Sequence, residues 1–303
     1  MVKAKGILVS QVITSCVDEP FTVFECEKFL SVSEFAKLKS EFPWESIIKS
    51  SENESFRYRI DEYGHPDLFK QVLRSRPNLT SLVESVHSHK FVRDLLRTFR
   101  KPILARLDPK ARVRRVFLRF APTWIFDTKV DLTVYTRGFH LTPHTDGTEK
   151  VIALLLYFED PGIEHYQMSD AQSLGGTQFW RARHKTAQES WVAWLLPADP
   201  LNQPFKSPLS LALSRKFDRT DEMSEEFADF QKDFEVFFIS EARDNHLAGF
   251  VKSSNSWHSV NLSDYPENVL RGAILINLNL PPTSFRRCVR NFFRQYGLGR
   301  LLK

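Results

Sequence analysis

Two patterns of apolar and polar positions divide the chain. In the first hundred residues apolar positions recur at helical spacing. Phe35, Leu38 and Phe42 follow Ser31 and Glu34, whose separation is that of a capping box, and Pro43 stops the run. Ser81 with Glu84 predicts the opening of a second helix. Leu82, Val83, Val86, Leu95 and Leu96 form its buried side, and His87 and His89 are expected to face solvent. The segment DEYGHPD, 61–67, is rich in acids, Gly and Pro and predicts a turn.

From about residue 113 the period shortens to that of strands. Val113–Phe120, Val130–Tyr135, Val151–Phe158, Thr177–Arg183, Phe234–Ile239, Leu247–Lys252, Trp257–Val260 and Arg271–Leu280 are short β-branched and aromatic runs separated by turns. Many consecutive short strands predict a sandwich or barrel rather than βαβ units. A polar, Pro-containing stretch at 184–232 interrupts them, as a lid or an excursion from the barrel. The expected organisation is therefore a mainly helical support region at 1–110, a β core at 111–281 carrying that insertion, and a basic amphipathic tail at 282–303.

Composition narrows the class. Of 303 residues, 42% are hydrophobic and 26% charged, the balance of an ordinary soluble globular protein. The net charge of +5 permits anionic partners without demanding them. Arginines and lysines crowd 100–119 and the tail. No aromatic stacking motif accompanies the first cluster, so there is no strong nucleic-acid signal. The tail, SFRRCVRNFFRQYGLGRLLK, fits a weak contact with an anionic membrane surface or an acidic partner, and equally a C-terminal helix packing its aromatic side on the domain. Cys16, Cys26 and Cys288 form no CxxC pair and suit a reducing compartment, so a cytoplasmic location is expected. The N-terminal apolar run is broken by Gln11 and Thr14, unlike a secretory signal. The longest apolar run, Val151 to Phe158, is far short of the roughly 20 residues of a membrane span.

The chemistry concentrates in YTRGFHLTPHTDGTEKVIALLLYFED, 135–160. On an extended strand, residues two apart project to the same side, so His144 and Asp146 can converge on one point. An imidazole nitrogen and a carboxylate oxygen are both ligands for a divalent iron-like metal, and one further histidine completes a 2-His-1-carboxylate triad. A strand-end histidine paired with an aspartate for packing gives the same local pattern. Downstream, AGFVKSSNSWHSV offers His258, and Arg271 opens the next predicted strand. A guanidinium aimed into an apolar barrel suits a dicarboxylate, which it can bind through two parallel hydrogen bonds. Against that stand a satisfied core histidine and a surface arginine. His140 suits a pocket-wall or surface position, and His165, His184 and His246 fall in loops. Trp180 and Trp257 suit barrel core. Asn277 and Asn279 give the Arg271 strand one polar face, toward cavity or solvent. The phosphate-loop GxxxxGK, HExxH, GxSxG and the dinucleotide glycine fingerprint are all missing from the sequence.

These residues in this order resemble the Fe(II)- and 2-oxoglutarate-dependent dioxygenases, in the branch similar to prolyl 4-hydroxylases. The resemblance spans roughly 110 to 281 and includes LGGTQFW, 174–180, as a Gly-Gly turn into a barrel strand. It implies an α+β fold, a double-stranded β-helix or jelly-roll core with N-terminal helices packed on it. It implies iron held by His144, Asp146 and His258, the far carboxylate of 2-oxoglutarate held by Arg271, and Tyr135 touching the same co-substrate. O2 would be consumed, with ascorbate as a reductant, and succinate and CO2 released. The carboxylate of Asp146 favours hydroxylation over halogenation. The primary substrate is left open among amino acids, peptides, sugars and natural products. Two features depart from the family's pattern. Ala273 stands where a serine often follows the arginine, and the insertion lengthens the gap between Asp146 and His258. A nucleic-acid-directed oxygenase and a non-catalytic jelly-roll binding protein are the alternatives.

Overall fold

The computed structural model describes residues 12–50, 56–105, 123–147, 149–160, 175–187, 225–253, 255–263, 265–280, 292 and 295–296. Within them the protein is α+β, with helices packed on two antiparallel sheets. The strands are β1 (Ser15–Val17), β2 (Val23–Cys26), β3 (Arg57–Asp61), β4 (Asp127–Tyr135), β5 (His140–His144), β6 (Lys150–Glu159), β7 (Thr177–Ala182), β8 (Phe234–Ile239), β9 (Leu247–Val251), β10 (His258–Asn261) and β11 (Arg271–Asn279). The larger sheet runs β1-β2-β9-β6-β11-β4-β3 and the smaller β5-β10-β7-β8.

Side-chain alternation explains how the large sheet serves two environments. One set of positions, including Val130, Leu132, Val134, Leu154, Leu156, Phe158, Ile274 and Ile276, joins the main core with the helices. Those helices are α1 (Val32–Ser40), α2 (Trp44–Ser50), α3 (Pro66–Arg74), α4 (Pro77–Val86), α5 (His89–Thr98) and α6 (Arg100–Ala105). The alternate set, Tyr135, Tyr157, Ala273, Leu155 and Leu275, faces the small sheet and packs with Leu141 and Val260. The space between the sheets opens into the cavity described below.

The sequence pattern located α1 well: Ser31 Oγ accepts from Glu34 N and Glu34 Oε2 accepts from Ser31 N. The second helix is different. It is two helices, α4 and α5, divided at His87 and Ser88, with Ser88 Oγ capping α5 by accepting from Phe91 N. Ser81 therefore lies inside α4, and Pro77 occupies its first turn. His87 does not face solvent. It is 4% exposed, its Nε2 3.2 Å from Glu62 Oε2.

The first hundred residues also contribute strands β1, β2 and β3 to the large sheet, which helical spacing did not predict. The predicted strand Val113–Phe120 lies outside the described residues, as does most of the insertion. At the insertion's end α7 (Glu225–Asp233) runs directly into β8. In the tail, Phe292 meets Trp124 edge-on at 5.9 Å and Gln295 Nε2 donates to Thr123 O at 3.0 Å. At these positions the tail packs on the domain. No helix among the described residues is long and apolar enough to cross a membrane.

Candidate metal centre

β5 and β10 pair antiparallel with His144 directly opposite His258. The two imidazoles lie 4.2 Å apart, centroid to centroid. Asp146 lies on the segment between β5 and β6, and its Oδ2 lies 3.7 Å from His258 Nε2. One donor atom from each of the three residues falls within 4.8 Å of the others. Among the described residues this is the one cluster of its kind.

The ring orientations are fixed by the backbone. His144 Nδ1 is 3.0 Å from Thr142 O, and His258 Nδ1 is 3.0 Å from Ser256 O. A carbonyl only accepts, so each Nδ1 carries the proton and each Nε2 keeps its lone pair. This backbone anchoring of the distal ring nitrogen is how metal-ligating histidines are oriented. Burial, together with the neighbouring His258, pushes the His144 imidazole down to about 3, and burial likewise lowers His258. Both rings are neutral, as ligation requires.

Asp146 is split in function. Burial alone would raise its carboxyl, but the Lys150 ammonium holds it below the ordinary carboxylate range. Lys150 Nζ binds Oδ1 at 2.8 Å, while Oδ2 is buried without a hydrogen-bond partner. An orphaned buried carboxylate oxygen facing two imidazole lone pairs is what a divalent cation would satisfy. The donor set fits iron.

A cavity of about 340 Å³ lies between the sheets, lined by His144, Asp146 and His258 together with Tyr135, Thr177 and Asn277. Asn277 and Asn279 thus face the cavity. Arg271 does not line it. It is 1% exposed, behind Tyr135, with its guanidinium 5.2 Å from the Tyr135 ring centre and 4.7 Å from that of Tyr157. Cation–π contact offsets part of its burial, but Nε and Nη1 have no hydrogen-bond partner. The Tyr157 hydroxyl is held by Thr177 Oγ1 and Ser240 Oγ, both at 3.0 Å. The Gly175–Gly176 turn seats β7 against this group: Gly175 has φ +80° and lies on Leu262, Tyr265 and Arg271.

The remaining candidates sit elsewhere. Trp257 is core with Phe230 and Phe234, and Trp180 packs against them. His140 is half-buried on β5 and His184 is exposed. His246 is buried, its Nε2 3.0 Å from Glu25 Oε1. His165 lies outside the described residues. The sequence reading did not identify Lys150, Tyr157 or Arg57. Lys150 had a usable signal, standing four residues past Asp146 at the start of the next strand. Tyr157 could have been found by the alternation along β6.

No family model and no curated protein matches the sequence. Solved structures with a similar course of chain include a prolyl 4-hydroxylase from Phytophthora capsici, at 12% identity and TM-score 0.43 over 92% of this chain and 71% of that one. The non-heme α-ketoglutarate-dependent carbocyclase SnoK of nogalamycin biosynthesis gives 12% identity and TM-score 0.42 over 85% and 79%. HygX from Streptomyces hygroscopicus, solved with nickel, 2-oxoglutarate and hygromycin B, gives 11% identity and TM-score 0.38 over 87% and 84%. At such similarity, what this site does must follow from its own side chains.

Proposed function

We propose that the protein is an Fe(II)- and 2-oxoglutarate-dependent dioxygenase acting as a hydroxylase, its two facing sheets forming a double-stranded β-helix. The observation that carries this is the pairing of two orphaned buried groups: the Asp146 oxygen beside two neutral imidazoles, and the Arg271 guanidinium. One calls for a cation and the other for an anion, and the cavity reaches from the first to Tyr135, whose ring stands against the guanidinium.

His144 Nε2, His258 Nε2 and Asp146 Oδ2 would hold the iron at the wall of the cavity. With 2-oxoglutarate bound, the iron supplies coupled oxidation by O2, in which co-substrate is converted to succinate and CO2 and a substrate carbon gains a hydroxyl group. The chain's own contribution is orientation. Arg271 supplies Nε–H and Nη1–H to the far carboxylate of 2-oxoglutarate. The Tyr135 hydroxyl, which bonds no described residue, can donate to the same molecule. Tyr157, held by Thr177 and Ser240, keeps the guanidinium from swinging away. Leu141, Leu155 and Val260 exclude water from the middle of the cavity. Lys150 keeps Asp146 ionised and its Oδ1 occupied.

Anaerobic titration with Fe(II) and 2-oxoglutarate tests the proposal through the visible metal-to-ligand charge-transfer band. A band in wild type that is lost in His144→Ala is expected. Its absence from folded, metal-loaded wild type would sink the oxygenase reading and leave a binding barrel.

A further inference from the structure

Arg57, Tyr135 and Arg271 form one row across three adjacent strands. Arg57 on β3 is in register with Tyr135 on β4, which is in register with Arg271 on β11. Partners in register project to the same face, so all three side chains point toward the small sheet. Both guanidiniums address one ring, Arg57 at 5.8 Å and Arg271 at 5.2 Å from its centre. Their surroundings differ. Arg271 is walled in, whereas Arg57 lines the cavity from β3, the edge strand of the sheet.

The other cations lining this cavity are matched by acids. Arg59 Nε is 3.6 Å from Asp61, Lys129 lies 3.4 Å from Asp61 and 3.3 Å from Asp131, and Lys150 binds Asp146. Arg57 has no acidic partner among the described residues, and its Nε is buried with no hydrogen bond. A desolvated donor on a cavity wall is costly unless an acceptor arrives there. Two like charges beside one ring, with a single anionic co-substrate, leave the outer one uncompensated.

We propose that Arg57 is the anchor for an anionic group, a carboxylate or a phosphate, on a small primary substrate. This rests on the iron and 2-oxoglutarate reading, in which Arg271 is taken by the co-substrate. The substrate enters at the β3 edge, its anion on Arg57, and the remainder extends along the cavity toward His144 and His258. The planar fork of arginine suits either oxyanion.

The test uses full-length protein loaded with Mn(II), saturated with 2-oxoglutarate, and two probes, inorganic phosphate and acetate. Paramagnetic enhancement of ³¹P or carboxyl ¹³C relaxation reports an anion held near the metal, and the stronger probe tells phosphate from carboxylate. Wild type is expected to enhance at least one probe. Arg57→Gln should weaken that binding about tenfold or more, the size expected for a hydrogen bond to a charged group, and Arg57→Lys should restore part of it. The affinity for 2-oxoglutarate should not change in Arg57→Gln, and its melting midpoint should be no lower than that of wild type. No enhancement in metal-loaded wild type overturns the proposal, as does equal enhancement in Arg57→Gln. A loss of 2-oxoglutarate affinity in Arg57→Gln also overturns it, by placing Arg57 in the co-substrate cradle. If wild type takes up neither metal nor 2-oxoglutarate, the oxygenase reading fails separately. Equilibrium dialysis of the same two anions then decides Arg57: retention that Arg57→Gln removes upholds the anion site, and equal or no retention overturns it.

Discussion

His144 and His258 stand directly opposite one another in the pairing of β5 with β10, and each anchors its Nδ1 on the carbonyl two residues before it. The sheet register brings the rings together and the local backbone turns both lone pairs inward. Removing either ring deletes one of the three donors that the described residues bring together there. His144→Ala and His258→Ala should each lower metal affinity by more than the roughly 10–100-fold typical of a lost outer-shell partner. Metal titration of each variant, with circular dichroism to establish folding, checks this. Metal affinity within tenfold of wild type in either would remove that residue from the ligand set.

Lys150 governs how Asp146 responds to acid. In wild type the ammonium overrides burial and keeps the carboxylate ionised in mild acid. Lys150→Met leaves burial, the largest influence on this group, unopposed by the nearest cation, so the Asp146 pKa rises. Metal binding at pH 7.5 should then change little, while binding near pH 5 weakens relative to wild type. Metal affinity measured at both pH values decides it: parallel curves for the two proteins would remove Lys150 from this role.

The metal-free protein should lose stability as pH falls below the ordinary histidine range. His144 is held down to about 3 in the fold, and His258 is also lowered, mainly by burial. The unfolded chain takes up protons near pH 6.5 that the folded chain refuses, so folding weakens progressively from there toward about 3 for His144. Each such histidine contributes a slope of up to about 1.4 kcal/mol per pH unit. Urea unfolding of metal-free protein at pH 7.5, 6.5 and 5.5 measures it, and His144→Ala should flatten the slope.

The order of elements and the local triad pattern were legible because both are periodic. β4, β6, β8 and β11 fall within a few residues of their predicted ends, since each alternates or runs apolar in the way a half-buried strand must. β3 was hidden for a physical reason. Its sequence, Arg-Tyr-Arg-Ile-Asp, puts Arg57, Arg59 and Asp61 on the face turned toward the cavity, the reverse of a strand that buries apolar residues there. The break between α4 and α5 was hidden as well. Leu82 to Leu96 keeps an apolar stripe across it, and only the cap on Ser88 marks the division. His246 was unreadable locally, because its partner Glu25 comes from a strand more than two hundred residues away.

Arg271 should cost the ligand-free protein stability while serving the co-substrate. Its Nε and Nη1 are buried without partners, and two tyrosine rings do not replace two hydrogen bonds. Arg271→Met keeps much of the volume and removes the charge. The ligand-free variant should be at least as stable as wild type by urea unfolding. Its 2-oxoglutarate affinity should fall about 30-fold or more, from the roughly 2–5 kcal/mol lost with one half of a buried charge pair. A variant that is destabilised yet binds 2-oxoglutarate normally would make Arg271 a structural residue.

Gly176 links the β7 turn to that same arginine. A Cβ on Gly176 would lie 1.8 Å from Ser240 O, a backbone atom that cannot step aside without moving β8. Ser240 N donates to Thr177 O, and Ser240 Oγ accepts from Thr177 N at 2.9 Å while contacting the Tyr157 hydroxyl. Displacing Ser240 therefore breaks the β7–β8 junction and releases Tyr157 from the guanidinium it braces. Gly176→Ala should cost about 3 kcal/mol or more, at the upper end for forced overpacking. At a temperature where the variant is still folded it should also bind 2-oxoglutarate more weakly, although it removes no polar group from the cavity. Ser240→Ala separates the two effects: it deletes the hydroxyl without the clash, so it should lower stability less than Gly176→Ala and still weaken co-substrate binding. If Ser240→Ala leaves that affinity unchanged, Tyr157 does not depend on Ser240 for its hold on Arg271.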